Sequence, residues 1–459
     1  MRQTLRRSCT ACAKYKHSCD LGTPRCSRCI KRRVECHYAN TPLTAPYVPA
    51  LRVRRPHSLT PVEGPPSIDA SFAALDPFDS YPVTRLPRKH VQRLIYNFLH
   101  KIAFQYYPLD LNAASNPFLV SWWPLALGDP ALFHVSLQTA CLDEELLAQK
   151  GFLTSEMLMA DSVALLRHKV DNAVLAVQDG TMNSVITLAA IEFGKGNLAA
   201  SQMHIGGVKR LVALRNGMHA VSQTSPLTAR MVSWVSMIVT GVPQFDTQDD
   251  AGIGDGIPTL SDWQIDATSL QYNVPSLDNL DIADDVRDVF TRLTYIFWNA
   301  STTAMSNTRL HDLTCFVAHR LLRSEHGSSV GEPSQISECL RVAMVLYIFM
   351  LQGPTYFSHA VMQNMLVCQL LDRLEGAMGG APRQLWSLEV WLLGVGMAAS
   401  LGTDNRHRFL ERARRTASVL GFGGTGDALA VMRSILWLER LHGEGIFRQS
   451  WDEALLESI

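Results

Sequence analysis

The chain has 459 residues, 47% of them apolar, with 42 Lys and Arg balanced by 42 Asp and Glu. A chain of that length and apolar content is expected to fold for the most part, into more than one domain with a sizeable helical core. The zero net charge hides an asymmetry: residues 1–56 hold 13 Lys and Arg against only Asp20 and Glu35, a net +11, and the remainder carries 29 basic against 40 acidic residues, a net −11. A basic head on an acidic body is the electrostatic pattern of a nucleic-acid-binding end. The opening MRQTLRRSCT lacks an apolar secretion segment. The longest apolar runs, residues 342–352 and 390–402, fall short of the roughly 18–20 residues that span a bilayer and read as buried core helices. The expectation is a soluble intracellular protein with no membrane partner, in a reducing compartment where disulfide frameworks do not form.

In chain order, the first feature is a cysteine pattern written twice. CTACAKYKHSC (residues 9–19) and CSRCIKRRVEC (residues 26–36) both read C-x2-C-x6-C. A C-x2-C pair lets two sulfurs reach one ion from a tight turn, and a third cysteine after a short helical stretch closes on it. Four thiolates complete a tetrahedron around Zn2+. Each half supplies three, so six thiolates satisfy two ions if two sulfurs bridge, and the symmetry points to one from each half. Six thiolates and two Zn2+ sum to −2, so nearby Lys and Arg stabilise the cluster itself. A mononuclear ribbon would leave Cys19 and Cys36 without a role, and a redox C-x2-C expects a βαβ context that is absent. The remaining cysteines, Cys141, Cys315, Cys339 and Cys368, sit singly in apolar stretches and read as core residues.

The full spacing closely resembles the fungal C6 binuclear zinc cluster of galactose-regulator-type transcription factors. SCTACAKYKHSCDLGTPRCSRCIKRRVECHY is most similar to the aflatoxin-pathway-regulator branch, through Cys-Thr-x-Cys-Ala, a Lys four after the second Cys, Pro24 two before the fourth, Cys-x-Arg-Cys-Ile and a final Cys-x-Tyr. The likeness covers about 31 residues. It implies two zinc ions bridged by Cys9 and Cys26, with Cys12 and Cys19 completing one site and Cys29 and Cys36 the other. It also implies a first helix whose C-terminal end enters the major groove at a CGG-type half-site. The contact position falls on Lys16, whose ammonium can donate to guanine O6 and N7. Lys14, Arg28, Lys31, Arg32 and Arg33 would then lie on phosphates. Ala13, Tyr15, His17 and Ser18 make the first half less basic than the family pattern, and Lys31-Arg32-Arg33 compensates in the second.

Residues 41–85 form a proline-rich linker whose density of Pro forbids a long helix or central strand. RVRRP (residues 52–56) within it fits a nuclear import signal or a phosphate contact. No sustained heptads follow the cluster, so a homodimer would have to meet through the body.

From Pro87 the pattern is helical. Val91, Leu94, Ile95, Phe98, Leu99 and Ile102 form a stripe of period 3.6. Asp129-Pro130, Asp179, Asn197 and Ser225-Pro226 mark helix starts, and Asn216-Gly217 a stop. Period-2 runs are scarce, so residues 86–459 are expected to form an all-α domain of about ten to thirteen helices. Residues 243–286 read as a solvated acidic loop, or as a segment whose Trp263, Leu270 and Tyr272 recruit transcription machinery.

Residues 191–217 resemble the fungal-specific transcription factor domain through H-x-x-G-x-x-x-L-V-x-L-R-x-G, at His204, Gly207, Leu211, Val212, Leu214, Arg215 and Gly217, with Glu192 upstream. The structural reading is that Gly207 permits close helix approach, Leu211 and Leu214 face a core and Gly217 caps. GFGGTG (residues 421–426) satisfies G-x-G-x-x-G, but a helical segment precedes it where a strand is required, so it reads as an interhelical loop. The final SWDEALLESI fits an amphipathic helix. The chain is therefore expected to be a zinc-dependent, sequence-specific RNA polymerase II transcription factor in the nucleus, not an enzyme, binding double-stranded DNA and regulating genes such as a secondary-metabolite cluster. Alternative roles for the helical body are sensing a small molecule or, less well supported, acting as a nucleotide-cofactor enzyme domain.

Overall fold

A computed structural model describes residues 10–15, 27–34, 81–149, 151–264, 277, 280–302, 305–323, 334–353, 355–356, 359–377, 385–439 and 444–456. Among them the only β interaction is one isolated bridge, Thr247 to Ile257. The architecture is all-α, as the periodicity predicts. Two short helices, α1 (Thr10–Lys14) and α2 (Ser27–Arg32), come first; residues 41–80 of the linker lie outside the described residues, and its end is described, with Arg85 Nε donating to Asp161 at 3.0 Å. The helices from α3 onward divide between two compact units, the first running to Ser184 and the second from Val185, with Pro108–Leu111 also in the second.

In the first unit α3 (Arg88–Asn97) passes through a π-helical turn, Phe98–Ile102, into α4 (Ala103–Tyr106). A second π turn, Phe118–Trp122, leads into α5 (Trp123–Gly128). The expected stripe is buried except at Leu99, which is half-buried. Then α6 (Pro130–Ala148) and α7 (Leu153–Val170) pair antiparallel, followed by α8 (Ala173–Ala176) and the start of α9 (Asp179–Gly194). Asp129 caps α6 by accepting from Ala131 N at 3.0 Å and binds Lys169 at the far end of α7. Glu145, near the other end of α6, accepts from Thr154 N at 2.8 Å. These two ties fix the direction of the pair.

The second unit continues with α10 (Leu198–Leu214), α11 (Gly217–Thr224), α12 (Pro226–Thr240), α13 (Asp284–Thr302), α14 (Asn307–Arg323), α15 (Gln335–Gln352), α16 (Ala360–Ala377), α17 (Trp386–Ala399), α18 (Arg406–Leu420), α19 (Thr425–Ile435) and α20 (Glu444–Leu456). Its centre is α15, whose residues are almost all buried. This helix is longer than the apolar run suggests: its 18 residues are long and apolar enough to cross a membrane, yet 83% of them are covered by the rest of the protein. A core helix satisfies both facts. The Tyr347 ring packs 5.8 Å from Trp391, and its hydroxyl accepts from Leu438 N at 3.0 Å. Arg341, fully buried on the same helix, donates to Glu338 at 2.7 Å and to the Leu321 carbonyl at 3.0 Å. A buried charge needs such pairing to be tolerated.

Several sequence expectations change. Eighteen helices, rather than ten to thirteen, follow the linker among the described residues, because short segments such as α4, α5 and α8 give too few turns to show a period. Asn216 does end α10, at φ 63°, but a new helix begins at once. Ser225 precedes α12 without capping it, and its hydroxyl accepts from Arg215 at 2.9 Å instead. Leu211 is buried, whereas Leu214 is 67% exposed. Gly207 is not a close-approach site either, since an added Cβ would stand at an ordinary 3.7 Å from Val185. Tight approaches occur instead at positions such as Gly394 and Gly396 of α17, where a Cβ would collide with Met432 and Phe409.

The acidic segment is also reassigned over its described part. Trp263 is fully buried, donating to Asp250 at 2.7 Å, edge-on to Phe316 at 5.3 Å and beneath Arg292 at 5.7 Å. Asp246, Asp250 and Asp262 pair with Arg323, Arg320 and Arg309. This is a strap fastened to α13 and α14, not a solvated loop. Leu270 and Tyr272 lie outside the described residues. The first four residues of GFGGTG form the loop between α18 and α19 and its last two open α19, and the C-terminal segment is helical through Leu456.

Two tests follow from this packing. Gly396→Ala should destabilise the protein by about 1–3 kcal/mol through overpacking, while Gly207→Ala should be neutral or stabilise it by up to about 1 kcal/mol; urea unfolding compares them. Burial pushes His311, His319 and His359 down to about 4, a shift that Arg230 reinforces and Asp312 opposes at His311. In the unfolded chain these rings titrate near 6.5. Their contribution to stability is therefore fully present above that value and is lost as pH falls from 6.5 toward 4. The urea midpoint should drop between pH 7 and pH 5, and a flat midpoint would contradict neutral burial of the three rings.

Candidate metal centre and nucleic-acid interface

Each cysteine triplet begins in the same way. One residue after Cys9 α1 starts, and one residue after Cys26 α2 starts; Cys12 and Cys29 are the third residues of their helices. The duplicated spacing is thus a duplicated backbone. Helices of five and six residues cannot persist on their own in water, because nucleation outweighs the few hydrogen bonds gained. Something besides helix propensity must hold them.

The described side chains indicate what that is. Cys12 is 3% exposed and Cys29 1%, and the two helices touch. Lys14, Tyr15, Arg28, Lys31, Arg32 and Arg33 are all exposed. Two soft sulfur donors therefore point inward at matching places while the cations point out. That donor chemistry fits zinc. Cys9, Cys19, Cys26, Cys36 and Lys16 lie outside the described residues, and among the described residues no group of three metal-binding side chains assembles.

The chain ends of the helices complement their dipoles: Lys14 closes α1, and Lys31 with Arg32 closes α2. After α2 the backbone turns sharply. Arg33 adopts φ 53°, and Val34 N donates to the Cys29 carbonyl at 3.2 Å, the 6→1 bond of a Schellman cap. The buried cysteine thus also anchors the turn that presents Arg32 and Arg33. The Lys14 ammonium sits 5.8 Å from the Tyr15 ring centre, a cation–π contact that sequence spacing does not reveal.

In the body, the residues of the His204 motif remain structural. His204 is half-buried, with its pKa lowered by burial against the opposing effect of Glu192. Glu192 is itself held by Asn197 at 2.5 Å and Lys195 at 3.2 Å, which ties the end of α9 to the start of α10.

Comparison with known families matches residues 7–45 to the Fungal Zn(2)-Cys(6) binuclear cluster domain. No curated protein and no solved structure matches the chain. The matched segment contains all six clustered cysteines and both short helices. Domains of this kind bind zinc and DNA and belong to regulators of transcription rather than to enzymes. Residues 7–45 therefore carry a fungal zinc-cluster domain, a match that supports a zinc-cluster DNA-binding transcription factor.

Proposed function

We propose that the chain is a nuclear, sequence-specific regulator of RNA polymerase II transcription of the galactose-regulator type. Residues 1–40 are its DNA-binding module, 41–85 its linker and 86–459 its regulatory domain. The single observation that carries this reading is the family match over a cysteine pattern whose described members, Cys12 and Cys29, are buried at equivalent places. Cys9 and Cys26 bridge two zinc ions; Cys12 and Cys19 complete one site, Cys29 and Cys36 the other. Metal binding supplies the module with folding energy of about 10–16 kcal/mol per structural site, which helices this short cannot generate.

On DNA, Lys16 reads guanine O6 and N7 in a CGG-type half-site. Lys14, Arg28, Lys31, Arg32 and Arg33 neutralise phosphates and set register. Their exposure supports that assignment for the five that are described.

Selection of bound sites from random DNA by the zinc-loaded full chain should enrich CGG-like triplets; recovery of no shared motif would overturn the reading. Cys26→Ala should abolish both metal loading and DNA binding, since one lost bridge opens both sites. Lys16→Ala should cost about 1–3 kcal/mol on the selected site and relax base preference, whereas Arg32→Ala weakens all sequences alike. Arg33→Gly separates charge from fold. Glycine suits φ 53° better than arginine, so stability should hold or rise, while the salt dependence of DNA affinity falls by about 0.9 in slope. Loss of metal or of helix in that variant would contradict a phosphate role for Arg33.

A further inference from the structure

Within the second unit, the end of α16, the first turn of α17 and the outer face of α18 border an open cavity of about 310 Å3, lined among the described residues by Glu375, Trp386, Glu389, Arg412, Arg415, Thr416 and Val419. We infer that this cavity binds a small zwitterion, an α-amino acid with an apolar side chain. Glu389 is buried, and both of its contacts fall on one oxygen: Oε1 accepts from Arg412 Nε at 2.8 Å and from Thr416 Oγ1 at 3.4 Å. Among the described residues no hydrogen bond reaches Oε2. Arg412 spends Nε on Glu389 and Nη1 on the Leu374 carbonyl at 3.0 Å, which leaves Nη2. The locked pair therefore holds an acceptor for an ammonium beside a donor for a carboxylate.

The other lining charges follow the same balance. Glu375 pairs with Arg408, and Arg415 with Glu411 at 3.5 Å, all four well exposed. Exposed pairs of this kind contribute little, so exchanging one partner for a ligand costs little. With two carboxylates and two guanidiniums in the lining, a ligand of one sign meets a like charge wherever it meets an opposite one. A ligand carrying both signs can align with each, which disfavours phosphates and simple amines alike. Trp386 and Val419 offer apolar contact, and the volume lies at the small end of the roughly 300–1,000 Å3 range of metabolite pockets. The inference does not depend on the DNA reading, because the cavity is formed by the body alone.

Calorimetry and thermal unfolding of the full chain, without DNA, test it with L-leucine, L-phenylalanine and L-tryptophan as probes. The controls are 3-methylbutylamine, which lacks the carboxylate, and 4-methylpentanoate, which lacks the ammonium. At least one amino acid should bind saturably and raise Tm, with both controls tenfold weaker or worse. Glu389→Gln should weaken binding at least tenfold. Should that variant fail to fold, Val419→Glu, at a position 63% exposed, places a third carboxylate at the cavity and should also weaken binding at least tenfold. No binding by any of the three amino acids, equal binding by a control, or undiminished binding by a folded variant overturns the inference.

Discussion

The bond on which the N-terminal module would depend is the one between sulfur and zinc that the matched domain implies. Two helices of five and six residues supply a handful of backbone hydrogen bonds, far too few to offset the entropy of ordering them. Their described surface is almost wholly cationic, so without a compensating negative charge the segment would repel itself. Thiolates holding zinc would answer both needs at once, as cross-links and as anions. The cations that would stabilise a negatively charged cluster are the ones facing outward, where a phosphate backbone could use them. Fold and function in this segment would then come from one electrostatic arrangement.

The body is held by different means. Its centre, α15, is so deeply buried that each polar group on it must find a partner, and Arg341 and Tyr347 do so through Glu338, Leu321 and Leu438. The strap around Trp263 follows the same logic nearer the surface, where Asp250 serves both the indole N–H and the Arg320 guanidinium. In α17 the two glycines let Met432 and Phe409 press against the helix backbone, so the crossing is set by the absence of side chains.

What could be read from the sequence followed from how local each signal is. The doubled cysteine pattern lies within 28 residues, and its spacing is legible whatever surrounds it. Helical class and caps such as Asp129 and Asn197 were legible for the same reason, since a cap bonds within its own first turn. Trp263 was misread because its partners, Arg292, Arg320 and Phe316, lie tens of residues downstream, and an acidic, glycine-rich segment looks solvated until those partners are known. Leu214 was misread because the apolar pattern of α10 continues one position beyond the buried face. The lining of the cavity, with Glu389 and Arg412 on separate helices, has no sequence signature at all.

These two kinds of electrostatics respond differently to solvent, and that separates the two ends of the chain. Exposed cations on α1 and α2 act through counterion release, an effect that weakens steeply as salt rises. The Glu338–Arg341 pair is buried and the Glu389–Arg412 pair largely so, and both are fixed by geometry as well as by charge. A ligand seated on Glu389 and Arg412 would therefore lose less affinity as salt rises than the module loses on DNA. Effector binding and DNA binding would then differ in salt dependence, because one rests on a few partly buried charges held by geometry and the other on many exposed ones.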